Sequence, residues 1–169
     1  MPTVTLDRDH LYERLGKTYT QEEFELLCFE FGVELDDVTS AYQRAKDMNK
    51  NLTAKELEKY DQSVEYAIDV PANRYDLLCM EGMARALRIF LGLEKTPSFT
   101  LVEPTKRLKM TVESDSTDAI RPFCVCAVLR GVSFEDPRVY TSFIDLQDKL
   151  HQNICRRRTL VAIGTHDLD

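Results

Sequence analysis

The chain has 169 residues, 43% of them hydrophobic and 30% charged, with a net charge of −7. That is globular composition, enough for one ordinary domain or a small domain with part of another, and it excludes a disordered or low-complexity chain. The acidic balance gives nucleic acid no global positive field, the apolar runs are too short to span a bilayer, and Met1-Pro2-Thr3-Val4 lacks the layout of a secretory signal.

Thr3 to Leu6 is the first predicted strand, and Asp7 caps a short helix carrying Leu11, Tyr12 and Leu15 before Gly16. Thr20 with Glu23 forms a capping box, in which a hydroxyl and a carboxylate each satisfy an N–H that the first helical turn leaves open. It opens a helix whose Phe24, Leu27, Cys28 and Phe31 fall on one face, ended by Gly32. Strand, helix, turn and helix invite a helix-turn-helix reading. From Thr20 to Asp37, however, there are seven acidic residues and no Lys or Arg, which repels a phosphate backbone. The pair is therefore read as two packed helices with a solvated acidic face.

Residues 40–62 form a polar excursion, with a helix expected near Thr53–Tyr60, capped by Thr53 with Glu56 at the third position. Val64, Tyr66, Ile68 and Val70 then alternate with Glu65, Ala67 and Asp69, a strand with one buried face. Pro71 ends it, because proline has no N–H to donate and a fixed φ. Asn73 with Asp76 is expected to start the next helix, supplying a side-chain oxygen for open N–H groups and a carboxylate near the helix's positive end. Leu77, Met80, Ala84, Leu87 and Leu91 form its inward face, Glu81 and Arg85 an i, i+4 ion pair, and Gly92 its stop.

Beyond Gly92 the texture changes. Lys95-Thr96-Pro97 reads as a connector, and Phe99/Leu101 and Leu108/Met110/Val112 as two short strands around Pro104. Glu113 to Asp118 is a polar break and the best domain boundary. Phe123 to Leu129 is a continuous apolar run, expected of a strand buried on both faces. Asp136 as cap and Pro137 at the first helical position open a helix with Val139, Phe143, Leu146, Leu150 and Ile154 as its stripe. Thr159 to Ile163 is a further predicted strand. A strand–helix–strand unit cannot cover both faces of a sheet, so this second unit is expected to be incomplete.

The five cysteines, at 28, 79, 124, 126 and 155, lie in apolar segments and read as reduced and buried. Cys124 and Cys126 share a strand face, but no second Cys or His pair has zinc spacing. His10, His151 and His166 are scattered. No phosphate-cradling glycine loop, G-x-S-x-G or metal-spaced carboxylate cluster is present. Arg156-Arg157-Arg158 is the dense basic run, and two readings stay open: contact with RNA phosphates, or a solvated junction with cations at a helix C-terminus. Arg74 likewise reads as an RNA contact or as a structural donor to nearby carbonyls.

Val70-Pro71-Ala72-Asn73-Arg74-Tyr75-Asp76 with Gly82-Met83-Ala84-Arg85 resembles the N-R-x-D … G-x-A-R signature of the β subunit of phenylalanyl-tRNA synthetase. Ile120-Arg121-Pro122-Phe123 through Gly131-Val132 resembles the first strand of that subunit's editing region. Phe143 through Asn153, then Gly164-Thr165-His166-Asp167-Leu168-Asp169, resembles the helix and strand that follow. The series covers nearly the whole chain and points to the archaeal and eukaryotic cytosolic form, since there is no room for the oligonucleotide-binding barrel that bacterial subunits insert.

The resemblance implies a share in an (αβ)₂ enzyme that joins phenylalanine to tRNA(Phe) with ATP and Mg2+, in the cytoplasm, with no membrane or DNA partner. In that family the aminoacylation site belongs to the α subunit, while β supports assembly, tRNA engagement and the hydrolysis of mischarged tyrosyl-tRNA. Its magnesium site lies in a later domain, and the editing-pocket residues are expected after Asp169. No catalytic or metal residue is therefore assigned here, no cofactor is expected on this segment, and the segment alone is expected to be inactive. Pro71, Asn73, Arg74, Asp76, Gly82 and Arg85 are assigned a structural role, and Arg156, Arg157 and Arg158 are the candidate RNA contacts.

The fold expected is α+β: a small N-terminal α+β domain (B1-like) over 1–95, a connector with short strands over 96–118, and the opening of a mixed α/β, B3/B4-like editing domain over 119–169. The rivals are a non-enzymatic module that docks on protein or RNA, and a free-standing deacylase that edits in trans.

Overall fold

A computed structural model describes residues 2–48, 54–57, 59–101, 103–113 and 117–167. Its sheet consists of β1 (Thr3–Asp7), β2 (Glu34–Thr39) and β3 (Glu65–Asp69), antiparallel throughout in the order β1-β3-β2. Val4 stands opposite Ile68 and Leu6 opposite Tyr66. Because side chains alternate along a strand, all four reach the same buried face, while Thr5 and Ala67 share the other.

Against the buried face pack α1 (Arg8–Leu15), α2 (Gln21–Phe31) and α5 (Met80–Phe90). Asp7 caps α1 as expected, its carboxylate accepting from the His10 N–H at 2.7 Å. Both bonds of the Thr20–Glu23 capping box are made, at 2.8 and 3.2 Å. Gly16 and Gly32 end these helices at φ 73° and 93°, a left-handed geometry that glycine adopts without penalty. Between sheet and helices, Phe24 stacks on Tyr66 with ring centroids 4.8 Å apart, and Tyr12 meets both edge-on. The Tyr12 and Tyr66 hydroxyls lie 2.7 Å apart, so each buried phenol has a partner. Burial and that bond raise the Tyr12 pKa, and burial pushes the Cys28 thiol up to about 12. Cys28 is inert packing.

Two elements were not anticipated. β2 occupies the acidic tail after α2, and α3 (Ala41–Met48) begins inside the polar excursion. Ser40 starts α3, its hydroxyl accepting from the Gln43 N–H at 3.1 Å. The helix expected near Thr53–Tyr60 is the single turn α4 (Ala54–Leu57), and its expected cap Thr53 lies outside the described residues.

After Gly92 the expectations for strands fail. Among the described residues, none of the segments around Phe99–Leu101, Leu108–Val112, Phe123–Leu129 and Thr159–Ile163 forms one. Phe123 is 91% exposed and Val125 96%. A strand buried on both faces needs neighbours for its N–H and C=O groups and a layer on each side, and the described residues supply neither. Cys124 and Cys126 are exposed with it, correcting the expectation that every cysteine is buried; Cys28, Cys79 and Cys155 are. Residues 114–116 of the predicted polar break lie outside the described residues.

The one long element of this half is α6 (Pro137–Gln152). Asp136 caps it, accepting from the Arg138 N–H at 2.9 Å, and hydrogen bonds from the Arg138 guanidinium and N–H hold its carboxyl down at about 2. Val139, Phe143, Leu146 and Leu150 are half-buried along it, whereas Ile154 falls past its end and is exposed. Leu146 packs against the N-terminal core and Lys149 donates to the Thr3 carbonyl at 2.6 Å, so α6 is tied to β1.

Candidate functional site

The signature segment is built as a joint between strand and helix. The Val70 N–H donates to the Pro2 carbonyl at 3.0 Å, and Pro71, lacking an N–H, breaks the pattern. A tight turn follows, closed by the Arg74 N–H on the Pro71 carbonyl at 2.9 Å, and then a 3-10 turn over Tyr75–Leu77. α5 starts only at Met80. Its cap is Cys79, extended at φ −146° and ψ 165°, whose sulfur accepts from the Gly82 N–H at 3.4 Å.

This corrects the expected helix start. Asn73 is exposed in the turn and its side chain makes no hydrogen bond to a described residue. Asp76 binds Arg74 instead of capping: Arg74 Nε and Nη2 donate to its two oxygens at 2.9 and 2.8 Å. That fork-to-fork pair lowers the Asp76 pKa and raises that of Arg74. Arg74 also lies over the Phe31 ring, 5.6 Å from its centroid, so its partners are a carboxylate and an aromatic face rather than carbonyls.

Gly82 is the geometric centre of the joint. A β-carbon there would stand 1.8 Å from the Asp76 carbonyl oxygen, a backbone atom that cannot swing aside. Glycine lets α5 seat against the 3-10 turn, which carries Leu77 and Leu78 into the core beside Met83 and Leu87. The expected Glu81–Arg85 pair is not made. Glu81 accepts from Arg14 at 3.1 Å and from the Ser142 hydroxyl, joining α5 to α1 and α6. Arg88 adds a clamp, donating to the Arg14 and Leu15 carbonyls at the end of α1. Arg85 is left exposed and Leu91 sits at the surface, while Gly92 does end the helix at φ 73°.

The basic run lies elsewhere, in the turn after α6. Arg156, Arg157 and Arg158 have φ of 49°, 54° and 66°, three consecutive left-handed residues that cost free energy for any side chain with a β-carbon. The turn is held from outside. Arg121 donates to the carbonyls of Arg158 at 2.6 Å and Leu160 at 3.0 Å, and the buried His151 accepts at Nε2 from the Ile163 N–H at 2.8 Å. Arg158 is spent on the same structure, its Nη2 donating to Asp148 at 3.2 Å and its Nε in contact with the His151 ring. Arg156 and Arg157 are exposed, with side chains paired to no described residue. Sequence reasoning missed the Arg121 and His151 clamps, because contacts 7 to 39 residues apart leave no periodic signal. The structure does not bring the signature and the basic run together into one cleft.

Among the described residues no group of His, Cys, Asp and Glu is placed to hold a metal ion, and no helix is long and apolar enough to cross a membrane.

Residues 1–93 match the model of the Phe-tRNA synthetase β subunit B1 domain. The chain belongs to the phenylalanyl-tRNA synthetase β-subunit family. Over its whole length it is 55% identical to the cytoplasmic phenylalanine–tRNA ligase β subunit of Arabidopsis thaliana, 54% to the phenylalanine–tRNA ligase β subunit of Drosophila melanogaster and 52% to the human one. It spans 28% of the length of each of these relatives. Among solved structures it is similar to an N-terminal fragment of the phenylalanyl-tRNA synthetase β subunit of Pyrococcus horikoshii, at 28% identity and a TM-score of 0.76, covering 99% of this chain and 42% of that one. The chain is thus the N-terminal part of a phenylalanine–tRNA ligase β subunit. The B1 match runs from β1 to just past α5 and so contains the whole joint. These findings support the ligase subunit over a free-standing interaction module.

Proposed function

We propose that the whole protein is the β subunit of a cytoplasmic (αβ)₂ enzyme that attaches phenylalanine to tRNA(Phe), and that this segment serves assembly and tRNA engagement. The observation that carries this is identity of 52–55% to curated β subunits along the entire chain. ATP and Mg2+ belong to the whole enzyme. The residues described here offer no donor set for a metal, so no step is assigned through either group. Residues 1–95 are the B1-like domain, 96–118 the connector, and 119–169 the opening of the B3/B4-like editing domain, a reading supported by the apolar 123–129 run, which has no neighbouring strand among the described residues.

Within that reading, RNA contact narrows from three arginines to two. Arg158 is engaged with Asp148 beside His151, whereas Arg156 and Arg157 are exposed in a turn of left-handed residues, their guanidinium groups paired to no described residue. Free, fork-shaped cations on a braced backbone suit phosphate oxygens. The test is tRNA(Phe) binding by the assembled αβ enzyme against salt. Joint reversal, Arg156→Glu with Arg157→Glu, should weaken binding and flatten the slope of log K against log[salt] by about 1 to 2. An unchanged slope would return both residues to the role of a solvated junction.

A further inference from the structure

The Ile120-Arg121-Pro122-Phe123 block forms no strand, and what it holds instead is an anchored arginine. The Arg121 N–H donates to the Thr117 carbonyl at 2.7 Å, closing a turn. Pro122 behind it narrows the backbone conformations open to Arg121. The side chain then reaches 37 to 39 residues along the chain. Nη2 donates to the Arg158 carbonyl at 2.6 Å, and Nη1 to the carbonyls of Leu160 at 3.0 Å and Thr159 at 3.4 Å. One planar guanidinium thus gathers three consecutive carbonyls, a task suited to its fork of donors.

These carbonyls begin where the left-handed run Arg156–Arg158 ends. Residues with a β-carbon persist in that geometry only where the surroundings over-determine it. Within the turn, the Arg156 N–H donates to the Asn153 carbonyl at 3.0 Å and the Leu160 N–H to the Cys155 carbonyl at 3.2 Å. α6 holds it from one side: the buried His151 ring accepts from the Ile163 N–H, and Asp148 accepts from the Arg158 guanidinium. Among the described residues Arg121 is the brace that comes from neither the turn nor α6. The Arg156 and Arg157 side chains, next to the braced carbonyls, bond to no described residue, so the backbone that carries them sets their direction.

We propose that Arg121 is a positioning residue for tRNA(Phe): by gathering the carbonyls of Arg158, Thr159 and Leu160 it aims Arg156 and Arg157 at phosphate oxygens, without meeting RNA itself. The role rests on the reading of Arg156 and Arg157 as tRNA contacts, and adds to it the group that holds them in place.

Two measurements on the assembled αβ enzyme test the brace and its purpose separately. The first is limited trypsin digestion with mass spectrometry of the fragments, which needs no tRNA. Arg121→Met removes the fork and keeps an apolar stem. Cleavage after Arg156, Arg157 and Arg158 should speed up about tenfold, because the released turn opens more often. Cleavage at Arg14 and Arg88 should keep its parental rate, which shows that the N-terminal unit stays folded. The second is tRNA(Phe) binding against salt, in a cycle of Arg121→Met with the joint change Arg156→Gln and Arg157→Gln. Alone, Arg121→Met should weaken binding about tenfold and flatten the slope of log K against log[salt] by about 1. In the Gln background it should change neither, since no guanidinium is left to aim. A merely unfolded fraction lowers the active concentration and leaves the slope alone. Parental cleavage rates in Arg121→Met overturn the brace, whatever tRNA does. Faster cleavage with a parental slope for the Gln pair overturns the tRNA reading, and the positioning role with it. A parental slope for Arg121→Met alone, or a further fall in slope when it is added to the Gln pair, overturns the positioning role and leaves the tRNA reading standing.

Discussion

The segments Thr3–Gly92 and Thr96–Gly131 are comparable in apolar texture, yet only the first buries it. In the N-terminal unit the inward apolar faces meet one another: Val4, Leu6, Tyr66 and Ile68 of the sheet against Phe24, Leu27, Met83 and Leu87 of the helices. In the second, Phe99, Leu101, Phe123 and Val125 face solvent. What separates them is the availability of a second layer and of neighbouring strands, since hydrophobic residues stabilise only when something covers them. α6 marks the border: a helix satisfies its own backbone and needs only one covered stripe, and Leu146 and Lys149 find that cover on the N-terminal unit.

Paired aromatic truncations press hardest on this contrast. Phe24 is fully buried and stacked on Tyr66, so Phe24→Ala should cost about 3 to 5 kcal/mol. Phe123→Ala, at a residue 91% exposed, should stay within about 0.5 kcal/mol in this chain. Chemical denaturation of both variants measures the difference, and comparable losses would mean that the 123–129 run is covered after all.

Much of the N-terminal unit was legible because its signals are local. The Asp7 and Thr20–Glu23 starts, the Gly16 and Gly32 stops and the alternation of β3 each lie within a few residues of what they control, as does the Asp136–Pro137 start of α6 beyond it. β2 was not legible for two physical reasons. Its Glu34, Asp36 and Asp37 are poor strand formers, tolerated at an edge, and a register shift between Leu35 and Asp37 breaks the period-two pattern. α3 carried a readable cue in Ser40 and Gln43, masked by an otherwise polar surface. The four strands expected after Gly92 fail because strand formation depends on neighbours that no local pattern reports. At the candidate site, the basic run was visible, while the engagement of Arg158 depends on a buried histidine reached only in three dimensions.

The joint sharpens the comparison at a smaller scale, because it is where local and tertiary demands meet. Gly82→Ala places a methyl against the Asp76 carbonyl, and α5 must move off the 3-10 turn to admit it. Alanine is the better helix former, so propensity alone predicts a gain. The clash should win, with a loss of about 1 to 3 kcal/mol, read as a lower denaturation midpoint. A stabilised Gly82→Ala variant would show that the turn and helix are not in contact as described.

The smallest expected effect separates two candidates for the same task. Read from sequence, Asn73 is the cap and its loss should cost about 1 kcal/mol. With Cys79 capping α5 and Asn73 exposed without a hydrogen bond, Asn73→Ala should instead fall within about 0.5 kcal/mol of the parent chain. The same substitution in the assembled enzyme reads out something different. Asn73 and Arg85 belong to the family signature, yet unlike Gly82, Arg74 and Asp76 they do nothing for the fold described here. If their place in the signature is structural, as the sequence suggested, it must be exercised on contacts beyond this segment. Asn73→Ala that is neutral in the chain and destabilising in the assembled subunit would locate that contact; neutrality in both would strip Asn73 of a structural role.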